Sequence, residues 1–235
     1  MNKYIYNENF YLSNRNKTIL SSELILEIIF KKIDFLPSNI IDIGCGTGEW
    51  LDSAHKLGIK NITGIDGTWV TKDKLINNNI NLINIDLNKD FYDKEFHKYD
   101  FLICTEVIEH LDPKINDIFI NKICNISDII LFSGAIPGQR GTNHINCQWQ
   151  SYWKNKFHYN NFSCFDLIRP LLWNNDKIDF WLKQNLLIYI KNNSNLINNF
   201  DESKELIDII HPEFLNIGIK RSLGYLYNSL IKKIK

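Results

Sequence analysis

The 235-residue chain sets 27 lysines and arginines against 27 aspartates and glutamates, with 44% hydrophobic and 13% aromatic residues. That length suits one generous domain, or one domain with a short appendage, and the apolar fraction excludes a disordered chain. The even charge argues against broad nucleic-acid binding, which draws on a basic surplus.

Helix Leu20–Ile33 comes first, apolar on more than one face and ended by Pro37 and Ser38. Strand Asn39–Ile43 is short and β-branched, as a strand buried on both faces should be. The turn Gly44-Cys45-Gly46-Thr47-Gly48 follows, then a helix Glu49–Leu57 closed by Gly58. Strand Asn61–Ile65, helix Trp69–Asn78, strand Ile80–Ile85, strand Tyr99–Cys104, helix Lys114–Cys124 and strand Ile129–Ser133 complete an alternating series. A helix Gln150–Phe157 and strands Phe165–Ile168 and Leu186–Ile190 close the sheet. This alternation predicts an α/β, Rossmann-like, doubly wound and mostly parallel sheet, expected to have seven strands with the last antiparallel, plus N- and C-terminal helices. The expected divisions are an N-terminal helical cap (1–38), the sheet domain (39–191) and a C-terminal helical tail (192–235). In the tail, Leu223, Leu226, Leu230 and Ile234 recur at helical spacing, which predicts self-packing, a homodimer contact or, last, adsorption to an anionic membrane. No run of about 18 apolar residues suggests a membrane span. Residues 1–16 show no signal-peptide core, and the five scattered cysteines lack any C-x-x-C spacing. The expected location is cytoplasmic, or the host cytoplasm for a viral source.

The richest stretch is Ile40-Ile-Asp42-Ile-Gly44-Cys45-Gly46-Thr-Gly48-Glu49-Trp50, a strand running into a glycine turn and a helix. An open α/β sheet binds nucleotide-like ligands at such a place. A dinucleotide fingerprint would carry glycine or alanine where Glu49 stands, and a carboxylate there does not suit a pyrophosphate, which disfavours NAD. Asp66, 22 residues past Gly44, and Asp86 end the next two strands, where carboxylates can accept from ribose hydroxyls and an adenine amino group. Together these residues resemble the class I S-adenosylmethionine (SAM)-dependent methyltransferases. The resemblance implies SAM as cofactor, with contacts from Asp42, Gly44, Cys45, Gly46, Gly48, Asp66, Asp86, Leu87 and Thr105.

Thr105-Glu106-Val-Ile-Glu109-His110-Leu111 follows the fourth strand. On a helix, Glu106, Glu109 and His110 would share one face, a donor set for Mg²⁺ or Mn²⁺. The segment resembles one in small-RNA 2′-O-methyltransferases and ubiquinone-pathway O-methyltransferases, where these positions bind a metal. The other reading is a helix that merely floors the cofactor pocket. His144, in the glycine-rich loop after the fifth strand, is a candidate general base or a fourth metal ligand, and an idle loop histidine is the alternative. His110 stands with it as a candidate catalytic group.

Aromatic residues crowd the region beyond: Trp149, Tyr152, Trp153, Phe157, Tyr159, Trp173 and Trp181. Some belong to the core, and those near the loop suit a sugar ring. The run Ala135–Trp153 with Ile168-Arg-Pro170, Trp181-x-x-Gln184-Asn185-Leu186 and His211-Pro-Glu213 resembles a subgroup of class I methyltransferases often associated with polysaccharide and glycan synthesis. Cys147 departs from the acid that this subgroup tends to carry there. The resemblance implies O-methylation of a hydroxyl on a nucleotide-linked sugar or glycan terminus. The rivals are an RNA 2′-O-methyltransferase, which the even charge disfavours, and a binding protein that kept the fold without the catalysis.

Overall fold

The computed structural model describes residues 15–200, 202–203 and 207–215. The apolar stripe expected in the tail, Leu223, Leu226, Leu230 and Ile234, lies outside the described residues. The elements are α1 (Arg15–Ile33), β1 (Asn39–Ile43), α2 (Glu49–Lys56), β2 (Asn61–Asp66), β3 (Asn81–Asn84), β4 (Phe101–Thr105), α3 (Asn116–Ile126), β5 (Ile129–Ser133), α4 (Gln150–Tyr159), β6 (Phe162–Phe165), α5 (Arg169–Leu172), α6 (Phe180–Asn185) and β7 (Leu187–Lys191). They form a seven-stranded sheet in the order β3-β2-β1-β4-β5-β7-β6. β3, β2, β1, β4 and β5 run parallel, and β7 enters antiparallel to both β5 and β6. The expected α/β sheet with an antiparallel last strand is therefore the fold observed.

Side-chain alternation divides the core into two layers. Ile40, Leu131, Ile188 and Ile190 face the layer built with α1 and α2, where Ile25, Leu26, Ile29 and Leu51 are fully buried. Ile41, Ile43, Ile130, Phe132, Leu187 and Tyr189 face the layer that holds Phe119, Ile120 and Ile123 of α3 and Trp153 and Phe157 of α4. Both faces are covered, so the strands can be apolar throughout. Their polar, glycine-rich C-terminal ends remain along one edge.

Two expected elements come out differently. Trp69–Asn78 does not form a helix; only a 3₁₀ turn, Lys72–Lys74, appears there. Tertiary bonds take the backbone groups a helix would need. The Ile76 amide donates to the Thr47 carbonyl (3.0 Å), and the Asn84 side chain donates to the carbonyls of Gly67 and Val70 (2.9 and 2.8 Å). The strand expected at Phe165–Ile168 lies earlier, at Phe162–Phe165, because Ile168 already opens the turn of α5.

Candidate functional site

The glycine turn leaves β1 with positive φ at Gly44 (79°), Gly46 (54°) and Gly48 (90°). L-residues avoid that region, so the sequence confines the turn to glycine. A Cβ on Gly44 would also stand 2.4 Å from Val107 Cγ2. Asp66, at the end of β2, holds the turn: its Oδ2 accepts from the Gly46 amide (2.8 Å) and its Oδ1 from the Gly67 amide (2.7 Å). Burial pushes its carboxyl up to about 6, against the pull of those two amides and the Trp69 side chain. Asp42 is 2% exposed, with no hydrogen-bond partner for Oδ2. Burial, then the charges of Asp66 and Glu49, raise it well above the carboxylate range. Asp86 is half-buried beyond β3 and uses Oδ1 to cap the Asn88 amide (2.9 Å).

Cys45 and Leu87 are core side chains, 4% and 7% exposed, so any ligand contact they make runs through backbone. Burial raises the Cys45 thiol well above its ordinary value. Thr105 ends β4 beside Ser133 of β5. A SAM-sized ligand needs a close backbone approach and carboxylates at the ends of β2 and β3, and these residues provide both.

The segment after β4 is not the helix expected. Glu106 adopts φ 54°, a left-handed conformation uncommon for a side chain of this size, and Ile108–His110 forms a 3₁₀ turn. The Glu106 amide bonds both the Ser133 carbonyl (3.2 Å) and the Ser133 hydroxyl (3.1 Å), which tears the chain away from helical geometry. Convergence comes instead from the 134–149 loop. Ligand atoms of Glu109, His110 and His144 lie within 4.8 Å of one another, and the two imidazole rings meet edge to face at 5.0 Å.

His144 is 13% exposed. Its Nδ1 donates to the Gln139 carbonyl (2.9 Å), which leaves the Nε2 lone pair facing Glu109 Oε1 at 4.0 Å. Gly141 makes room for the ring: a Cβ there would sit 2.0 Å from His144 Nε2. His110 points Nδ1 at the Asn143 carbonyl (3.4 Å), and burial followed by the His144 charge lowers it to about 4. It is therefore neutral at pH 7, as a ligating imidazole must be.

Glu109 is fully buried, and neither of its oxygens makes a hydrogen bond of good geometry. Burial and the adjacent Glu106 hold its carboxyl well above the usual range, against the backbone amides of Glu109 and Ala135. Such a carboxyl lacks the partners that buried polar groups ordinarily find, and a cation would supply one. Glu106 is better provided: Gln139 Nε2 donates to its Oε2 (2.9 Å) and Asn185 Nδ2 to its Oε1 (3.2 Å). Burial still raises its carboxyl, with Asn185, Ser133 and Gln139 opposing. The residues present fit a small divalent cation.

The aromatic residues divide. Trp153 and Phe157 are core, and Trp173 packs against His211 with ring centres 4.4 Å apart. Tyr159 is exposed at the far end of α4, roughly 14 Å along the helix from the loop. Trp149, 38% exposed at the loop's end, is the one of these seven that is both open and beside the loop. Sequence reasoning missed Gln139 and Asn185 as functional residues. The signal for Asn185 was the polar pair Gln184-Asn185 just before a strand, Leu187–Lys191, whose first four residues are buried.

Residues 11–123 match the family model described as a methyltransferase domain. No curated protein matches the chain. Among solved structures, magnesium protoporphyrin IX methyltransferase from Synechocystis PCC 6803 with bound SAH shares 16% identity at a TM-score of 0.54, over 80% of this chain and 91% of that one. The plantazolicin methyltransferase BamL, in complex with a desmethyl analogue and SAH, shares 15% at 0.53, over 78% and 88%. The methyltransferase domain of the bacterial protein CtHen1-C shares 16% at 0.51, over 76% and 99%. At these identities the likeness establishes the fold. It is the class I methyltransferase fold, with the strand order given above. The family match and the fold thus point the same way, to the architecture found in magnesium protoporphyrin IX methyltransferase with bound SAM.

Proposed function

We propose that this protein is a SAM-dependent O-methyltransferase acting on a sugar hydroxyl, either of a nucleotide-linked sugar or of a glycan terminus, with a divalent cation at Glu106, Glu109, His110 and His144. One observation carries the reading: a buried carboxyl with no hydrogen bond of good geometry, Glu109, converges with two imidazoles on the edge that also bears the glycine turn. Asp66 and Asp86 hold ribose and adenine, while the backbone of Gly44–Gly48 lies against the methionine part. SAM supplies an electrophilic methyl on a sulfonium, and the acceptor oxygen displaces the sulfur in line. Alignment of the two reactants is the chain's main contribution. A cation held by the carboxylates and imidazoles would acidify the acceptor hydroxyl. His144 Nε2, its tautomer fixed by the Gln139 carbonyl, either completes that ligand set or takes the hydroxyl proton itself. Trp149 offers an apolar wall for a pyranose ring.

An RNA 2′-hydroxyl is the second reading, favoured by the Glu-x-x-Glu-His segment. The balanced charge of 27 against 27 counts against it. Calorimetry with SAM and SAH, then methylation of nucleotide sugars, glycans and RNA with Mg²⁺, Mn²⁺ or EDTA, separates the readings. Sugar methylation abolished by EDTA and restored by metal supports the proposal. Turnover indifferent to EDTA removes the cation and leaves His144 as base. SAM binding with no turnover on any acceptor returns the chain to the binding proteins.

A further inference from the structure

Four motifs separated along the chain meet in one buried network beneath Glu106. Gln139 comes from the loop after β5, Gln184 and Asn185 from the end of α6, Arg169 from the start of α5, and His211 from the segment 207–215. Gln139, Gln184, Asn185, Arg169 and His211 are all 6% exposed or less. The hydrogen bonds run in one direction. The His211 amide donates to Gln184 Oε1 (2.9 Å). Gln184 Nε2 donates to Gln139 Oε1 (3.2 Å) and to Asn185 Oδ1 (3.1 Å). Gln139 Nε2 and Asn185 Nδ2 then donate to the two oxygens of Glu106 (2.9 and 3.2 Å). Each amide accepts from behind and donates forward, and the chain of donors ends on the carboxylate.

We propose that Gln139, Gln184 and Asn185 are positioning residues: through directed hydrogen bonds they hold the Glu106 carboxylate in one orientation beside the Glu109–His110–His144 cluster. The proposal rests on the cation reading above. The sense of the donors fixes Glu106 as an acceptor, and a chain of aligned amides polarises each successive bond. It also holds a residue of φ 54° in a single arrangement, which the backbone alone would not favour. Arg169 anchors the base of the network: its guanidinium donates to the carbonyls of Gln184 and Ile207 (both 2.9 Å), and Gln150 Nε2 bonds the Gln184 and Ile209 carbonyls (3.1 and 3.2 Å). The segment therefore reaches Glu106 through three side chains without touching it.

The test uses Mn²⁺ alone, its affinity read from the electron paramagnetic resonance of the free ion on the full chain. Gln139→Met and Asn185→Leu each remove a donor and should weaken Mn²⁺ binding about 10- to 100-fold, the usual cost of losing a group that orients a ligand. If Gln139→Met does not fold, Gln139→Glu keeps the shape, sets an acceptor against Glu106 and carries the same expectation. In a Glu106→Gln background the Gln139 change should add nothing, because its effect runs through Glu106. Ser151→Ala removes a different tie to the segment, the 2.6 Å bond to Asp208, and should leave Mn²⁺ affinity where it was. Wild-type affinity in the Gln139 and Asn185 variants, an additive loss in the double variant, or an equal loss in Ser151→Ala would each overturn the relay while the cation reading stands. A wild-type chain that binds no Mn²⁺ overturns both.

Discussion

The two halves of the sheet edge are built by opposite means. On the cofactor side, the turn after β1 and the carboxylate ending β2 lie 20 residues apart and are joined directly, Gly46 to Asp66. On the acceptor side, Asn185 reaches Glu106 across 79 positions and Gln184 reaches Gln139 across 45. One half is a local supersecondary unit with backbone as its working surface. The other is assembled from side chains contributed by separate elements. A local unit tolerates change beyond its own residues, whereas an assembled one fails wherever any contributor is lost.

The largest effect should therefore follow a change at the base of the acceptor side. Arg169 is 1% exposed and bonds both oxygens of Asp166 as well as two main-chain carbonyls. Arg169→Met strands those acceptors and should cost about 3 kcal/mol in urea unfolding. A loss below about 1 kcal/mol would show that this half is not held together by its buried polar groups.

Next comes Asp66→Ala on the cofactor side. In the proposed site the ribose hydroxyls would lose a charged acceptor, and the Gly46 amide loses its anchor. SAM affinity should fall by about 1.5–3 kcal/mol, roughly 10- to 150-fold by calorimetry. Mn²⁺ affinity should hold, since the two halves share none of these bonds. A parallel fall in both would erase the distinction between them.

The same contrast governs what the sequence reveals. The alternation of strands and helices, the Gly44–Gly48 turn and the places of Asp66 and Asp86 after their strands are all legible, because period and punctuation along the chain determine them locally. The segment Trp69–Asn78 is not, since Asn84 and Thr47 claim its backbone from elsewhere. The Glu106–His110 helix fails for a related reason: Ser133 of the neighbouring strand captures the Glu106 amide. Residue types at the acceptor side could be read as ligands and amides. Their directed hydrogen bonds exist only once α5, α6 and β7 have packed.

Gly44→Ala sharpens the cofactor side further. At φ 79° a side chain costs about 1–2 kcal/mol, and the new Cβ would press on Val107 at 2.4 Å. Adding Val107→Ala relieves the clash and leaves the dihedral cost. The double variant should therefore melt above Gly44→Ala but below Val107→Ala alone. Full recovery would show that crowding, not conformation, demands the glycine.

The smallest effect is one of pH, and it belongs to the cofactor side alone. Asp66 titrates at about 6, raised by burial. In the proposed ribose site only its ionised form would accept from both hydroxyls, so SAM binding should weaken as the pH falls through 6. At pH 5 roughly one tenth is ionised, and the dissociation constant should be about tenfold higher than at pH 8. Stability of the free protein should run the other way. A carboxyl whose folded pKa lies above its unfolded value near 3.8 binds more protons when folded, so its contribution falls as the pH rises from about 4 to about 6. Acid thus loosens the cofactor while it relieves the fold. Asp42 shares this pocket and is itself raised by burial and by the Asp66 charge, so calorimetry across pH 5–8 should include Asp66→Asn. That variant keeps an acceptor oxygen and loses the titration. A flat profile assigns the whole dependence to Asp66, and an unaltered one moves it to Asp42.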